Sequence, residues 1–410
     1  MLRVGAAKAD ITPDWPLTLA GFAARTEPAR GVSQPLHVRV AVFESNECRA
    51  AIVTADLLWW GPQQMADLRR EVAAITGAPG DAILFSASHT HSGPQTSTRV
   101  ASGIGTADPR YLDLLRERTL AAVHAAVADL EPVSLRRFDG QHDLGFNRRR
   151  QFDPHGPVDP ALTVIRATRP DGSPKALLVH YTCHPVITQE PLVSSEWPGV
   201  AMTWLEADFG MTALFLQGCC GDINPRRPGT NDSLRGTDRE VVQEGERFAA
   251  TIRHLLAEPG SCLDPIAPRG TRTTVDLPFA ALPDEATLRA RAEEPGVTGE
   301  WARALLDHPA WRVRAIPLQV QRLDLADGLA LLAMDGEVVV SYGLHVRART
   351  RNRVLPMGYA NGMTGYIPTG NIIAEGGYEG GESIVWFLLP APFAPEVEPI
   401  LTAAIDRILG

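Results

Sequence analysis

The chain has 410 residues, 44% of them hydrophobic and 21% charged, with a formal net charge of −9. This is the composition of a globular protein with room for a large core. The acidic balance, with no basic run beyond Arg148–Arg149–Arg150, argues against nucleic acid as a partner. No apolar stretch reaches the ~18 residues that span a bilayer, so no stable membrane association is expected. The opening MLRVGAAKADITP lacks the apolar core and cleavage site of a signal peptide. Cysteine occurs five times, at 48, 183, 219, 220 and 262, and an odd count without a leader suits reduced thiols and a cytoplasmic location.

Strands and helices alternate through the first half. Residues 51–55 (AIVTA) read as a short buried strand. A helix follows, with Pro62 near its start, Met65, Leu68, Val72 and Ile75 on one face, and Gly77 beyond its end. Residues 82–86 (AILFS) form the next strand. Asp108 and Pro109 fit the N-cap and first position of a long helix that turns Leu112, Leu115, Ala122, Ala126 and Leu130 inward. Apolar runs at 176–179 and 213–216 are further strands, with a short helix before the second. From about Asp264 the pattern becomes polar and alternating (TRTTVDLPF), then helical near 284–294 and 299–306. Strands follow at 318–325 and 329–334. The sequence is read as a single domain over 1–410, with residues 264–316 a lid or subdomain within it. The glycine-rich stretch 370–381 reads as an ordered functional loop. The expected class is α/β, a mixed β-sheet core flanked by helices.

Four of these strands run into turns rich in ligating side chains. AILFS leads to His89, Thr90 and His91; ALLV leads to His180 and His184–Pro185; ALFL leads to Asp222 and Asn224; LALLAM leads to Asp335 and Glu337. Ligand sites in α/β sheets lie beyond the carboxyl ends of strands, so the four turns are expected to meet. Two histidines, a carboxylate and one more oxygen suit Zn²⁺ with a position open for water, and His89-x-His91 suits either one ligand with a neighbouring group that moves protons or two ligands. His180 is expected to point to the opposite face, and Cys183, Cys219 and Cys220 to be buried small residues rather than ligands. Trp59 and Trp60 read as core.

The order SHTHSGP, then His-Pro after a strand, then GDxxP, then Gly-Glu, then a tyrosine after an asparagine resembles the neutral (non-lysosomal) ceramidase family, as does the opening VGAAKADITP. The likeness runs through nearly the whole chain. It implies an α/β catalytic domain with zinc at its centre and hydrolysis of an N-acyl amide. It implies one zinc per chain, held by His89, His184, Glu337 and Tyr366. It places His91 beside the metal as a catalytic group, with Arg148 of the Asn147–Arg148 pair and Tyr378, twelve residues after Tyr366, in the active site. The family's GDVSPN motif carries a serine where this chain has Asn224, and asparagine cannot accept an acyl group. Asn224 is therefore expected to donate a hydrogen bond, and Asp222 to be a carboxylate that holds a ligand histidine. The family's additional C-terminal β-sandwich is missing from these 410 residues, and the expected substrate is small and soluble rather than ceramide. An esterase, a carbohydrate-acting hydrolase or lyase on the same zinc site, and a non-catalytic binding protein are the other readings. Nothing in the sequence excludes a homo-oligomer.

Overall fold

The computed structural model describes residues 1–230 and 232–410. Three helix-backed sheets follow one another along the chain. The first third contains β1 (Arg3–Asp10), β2 (His37–Ser45), β3 (Cys48–Ala55), α1 (Met65–Thr76), β4 (Ile83–Ala87), α2 (Pro109–Ala128) and β5 (Glu131–Pro132). Its strands lie in the order β4-β3-β2-β1-β5. The middle third contains β6 (Ser134–Gln141), β7 (Gly145–Asn147), β8 (Ala161–Thr168), β9 (Pro174–Tyr181), α3 (Glu196–Phe209), β10 (Thr212–Gln217), β11 (Ile223–Pro225), α4 (Asp238–Leu256) and β12 (Ser261–Leu263). These form a sheet of order β10-β9-β8-β6-β12 and a small β11-β7 pair. The last third contains β13 (Pro265–Pro278), α5 (Glu285–Ala292), α6 (Val297–Asp307), β14 (Ala315–Ala326), β15 (Leu329–Met334), β16 (Glu337–Val338), α7 (Val340–Thr350), β17 (Val354–Met357), β18 (Tyr366–Ile367), α8 (Gly370–Glu375), α9 (Gly377–Gly380) and α10 (Val397–Leu409). Its sheet runs β13-β14-β15-β17, beside a β16-β18 pair.

Alternation along the strands explains why the sheets assemble. In β3, Ala50 and Ile52 face a core shared by all three sheets, while Ala51 and Val53 face α1 and α2. In β10, Leu214 and Leu216 enter the shared core, and Ala213 and Phe215 pack with α3 and α4. In β15, Leu331 and Ala333 enter it, and Leu332 and Met334 pack with Tyr342 of α7 and Leu401 of α10. A strand covered on both faces must be apolar at every position, which is how these runs read. Each sheet also holds one parallel neighbour pair joined through a helix: β3-α1-β4, β9-α3-β10 and β15-α7-β17.

Local signals decide several element ends. Asp108 caps α2 by accepting from Arg110 N at 2.9 Å, with Pro109 at the first helical position. The buried face of α2 differs from the expected one: Tyr111, Thr119 and Val123 join Leu115, Ala122 and Ala126, whereas Leu112 and Leu130 are only partly covered. The helix before β10 is 14 residues, not short. Pro198 sits at its third position, where a missing N–H costs no intrahelical bond. The stretch 370–381 is two short helices rather than a loop. β13 and β14 are strands of the third sheet, so only the pair α5–α6 at the tip of their hairpin stands apart. That pair packs Leu288, Trp301 and Leu305 against Ala101 and Leu388. No helix among the described residues is long and apolar enough to cross a membrane.

Candidate metal centre

The three parallel pairs deliver one metal-type residue each. His89 follows β4, His184 follows β9 and Glu337 follows β15. His89 Nε2 lies 3.3 Å and His184 Nε2 3.4 Å from the same Glu337 oxygen, Oε2. All three side chains are buried. Two main-chain carbonyls orient the rings: His89 Nδ1 meets Leu58 O at 2.8 Å and His184 Nδ1 meets Ile223 O at 3.1 Å. A carbonyl accepts only, so each Nδ1 carries the hydrogen and each Nε2 presents a lone pair inward. His184 Nε2 is buried and has no hydrogen-bond partner. Such an orphan in a polar pocket is what a cation would satisfy. His91 Nε2 lies 3.1 Å from His89 Nε2, and His89, His91 and His184 together could hold a metal ion.

His89 reaches this position with φ 69, in the left-handed region that a non-glycine residue enters only when its surroundings fix it. Its N–H to Leu57 O at 2.8 Å supplies that fixation. Gly21, at φ +96, lies flat against His91, and a Cβ there would come 2.5 Å from His91 Nδ1. Burial, aided by the neighbouring His89 and His184, holds His91 well below its usual pKa. Burial brings His184 down to about 4. Burial would raise Glu337, but His89 and His184 keep it well below the usual carboxylate range. Burial thus favours the neutral form of His91 and His184, the form in which an imidazole binds a divalent ion.

Tyr366 pairs in register with Glu337 across β16 and β18, which puts both side chains on one face. Its hydroxyl accepts from Arg148 Nη2 at 3.0 Å, while burial pushes the phenol well above its usual pKa. Arg148 also donates to Asn224 Oδ1 at 3.2 Å and to Glu379 at 2.6 Å. An arginine only donates, so the oxygen of Asn224 faces Arg148 and its Nδ2–H₂ group points elsewhere. The Tyr378 ring stands 5.3 Å from Tyr366, edge to face, and is 40% exposed at the mouth. Asp222 does not reach a histidine. Its carboxylate accepts from Val340 N at 2.8 Å and Asn147 Nδ2 at 2.9 Å, and burial raises its pKa to about 6. The carbonyl of its neighbour Ile223, not its own side chain, holds His184.

His180 points away as expected, with Nε2 on Pro356 O at 2.7 Å. Cys183, Cys219 and Cys220 are buried and unpaired, and Trp59 and Trp60 are core. Two neighbours of the centre were not anticipated. Tyr359 lies 4.1 Å from the His89 ring and directs its hydroxyl to Glu337 Oε2 at 3.4 Å. Glu379 bridges Arg148 and Arg149, each at 2.6 Å. Tyr359 follows β17 as His184 follows β9, so the strand-end rule that found the histidines would have found it too.

The sequence matches no protein-family model and no curated protein. Among solved structures, the neutral ceramidase of Pseudomonas aeruginosa superposes with a TM-score of 0.77 at 19% identity, covering 99% of this chain and 73% of that one. A ceramidase complexed with C2 superposes at 0.78 and 18% identity, over 99% and 74% of the two chains. The fold is that of neutral ceramidase. In this chain the three helix-backed sheets of that fold bring His89, His184 and Glu337 together. The SHTHSGP, His-Pro and Gly-Glu stretches that resemble neutral ceramidase in sequence are the strand-end turns that meet there.

Proposed function

We propose that the chain is a zinc-dependent hydrolase that cleaves an N-acyl (amide) bond of a small soluble substrate. The observation that carries this reading is the convergence of two oriented Nε2 atoms on one buried carboxylate oxygen. His89, His184 and Glu337, with Tyr366 as a fourth donor, are a nitrogen and oxygen set suited to one zinc ion. Such an ion, when bound, polarises a carbonyl and acidifies a water molecule. His91 is neutral and has Nε2 turned into the same space, so it accepts a proton from the attacking water and returns it to the leaving amine. Arg148 fixes Tyr366 from one side and Asn224 from the other. The Nδ2–H₂ of Asn224 is thereby left as a donor for oxyanion charge on the substrate. Tyr378, exposed at the mouth, contacts the remainder of the substrate. Asp222 is a positioning residue that ties the turn bearing Ile223 to the start of α7. The two ceramidases of the same fold support amide rather than another acyl chemistry, and a mouth carrying Arg148 and Asn224 supports a polar substrate.

The test is elemental analysis of protein purified without a metal-affinity tag, followed by assay of amine release from N-acyl compounds. About one zinc per chain is expected, lost in His89→Ala and His184→Ala and retained better in Tyr366→Phe. His91→Ala is expected to keep the metal and lose about 10²–10⁴-fold in kcat. Full metal occupancy in both His89→Ala and His184→Ala would overturn the ligand assignment. Metal loss in His91→Ala would make His91 a ligand instead of a proton carrier.

A further inference from the structure

The mouth of the centre holds more positive charge than its own acids neutralise. Arg148 and Arg149 are matched by Glu379 and Glu375. Arg25 and Arg235 are not matched in this way. Both guanidinium groups rest against one ring, that of Phe22, at 5.0 Å for Arg25 and 6.0 Å for Arg235. Phe22 in turn lies 4.8 Å from the His91 ring, which places the pair beside the reacting centre. Arg25 donates Nη2 to the carbonyls of His91 and Ala20, but its Nε and Nη1 are buried without any hydrogen-bond partner. Among the described residues, Arg235 makes no side-chain hydrogen bond and no ion pair within 4.0 Å, and it is exposed.

One acid acts on both electrostatically, Glu196. It is committed elsewhere, accepting from Thr188 N at 2.8 Å and Trp197 N at 3.2 Å. Burial pushes Glu196 up to about 7, so near neutral pH only part of the population carries its charge. A guanidinium buried without a counter-charge is costly, and an arriving anion offsets that cost. A planar carboxylate suits the guanidinium fork.

We propose that the substrate carries a carboxylate close to the scissile amide, seated by Arg235 and drawn in by the uncompensated charge of Arg25 beside Phe22 and His91. This deepens the amidase reading and rests on it. The substrate class is then an N-acyl amino acid or a similar N-acylated acid. The arginine pair selects the acid over its uncharged analogue, while the metal centre acts on the neighbouring amide.

The test pairs N-acetyl amino acids with the corresponding N-acetyl amino acid amides, which lack the negative charge. Binding is measured calorimetrically with the purified holoprotein, and amine release is measured in parallel. The acids are expected to bind about tenfold tighter than the amides, or more, as charge-assisted hydrogen bonds do. Arg235→Gln should abolish that preference with metal content unchanged, and Arg235→Lys should keep part of it. A preference that survives Arg235→Gln would place the carboxylate on the metal and overturn the proposal. Equal affinity for acid and amide, or no binding of either, would overturn it as well. An Arg235-dependent preference without hydrolysis would sink the amidase reading and leave the anion seat standing.

Discussion

Glu196 opens α3 at φ 58, fully buried, with both carboxylate oxygens on main-chain N–H groups. Burial outweighs those bonds and lifts its pKa from 4.5 to about 7. A carboxyl raised in this way holds its proton more tightly in the folded chain than in the unfolded one. The stability it confers is therefore fully present below pH 4.5 and is lost as the pH rises through about 7. Glu196→Gln removes the titration, so its stability relative to the parent should improve across that window, by on the order of 3 kcal/mol. Thermal melting of both proteins across the window checks this; parallel curves would assign the pH dependence to another group. At the centre itself, the positive φ of His89 depends on the turn that holds its N–H. Replacing that turn should loosen the ring before it disturbs the strand.

Gly221 shows how closely the turns are set against one another. A Cβ there would lie 2.5 Å from Glu337 O, and the glycine N–H already bonds Val338 O at 2.9 Å. Gly221→Ala must push β16 away and carry Glu337 with it, at a cost of about 1–3 kcal/mol. We expect both metal content and melting temperature to fall; full metal loading with a lowered melting point would mean that Glu337 stays in place. The strand-end turns were legible in the sequence because an apolar run that stops at a histidine or a Gly-Glu pair carries its own boundary. The cap of α2 was legible for the same local reason. The 14-residue length of α3 was not, because Pro198 and Gly199 read as breakers until their place in the first turn is known. Glu379 and the approach of Arg235 to Phe22 were missed because their partners lie far off in sequence and only the packed sheets bring them together. Glu379, for example, meets Arg148 across 231 positions.

Taken whole, the molecule is three βαβ-containing sheets around one shared core, and each sheet sends one residue to the centre. A ligand set distributed this way makes a bound ion a tie between three separately wound parts. Chelation should therefore lower the stability of the entire chain: an ion present at about a hundredfold its dissociation constant stabilises the fold by about 3 kcal/mol. Calorimetric scans of the as-purified and chelated protein read this directly, and returning zinc should restore the higher transition. Identical transitions would mean that the shared core alone joins the sheets. A cleft of about 590 Å³ lined by Trp59, Phe387, Arg99 and Gln319 contains none of the metal-type residues. Its Trp59 and Phe387 are nevertheless ring neighbours of His89 and Tyr366, so bulky ligands placed there would bear on the centre from behind.

The spacing of the three metal-type residues along the chain, at 89, 184 and 337, has a consequence for biogenesis. A ribosome that has made the first two sheets has presented two imidazoles but no carboxylate between them. On the proposed ligand set, an ion would find all its partners only after translation has passed Tyr366 and the last sheet has docked. Loading would thus be a late event, one that marks a chain as finished. In a cell starved of the metal, newly made copies would lack that final tie and would be the first to reach the proteases.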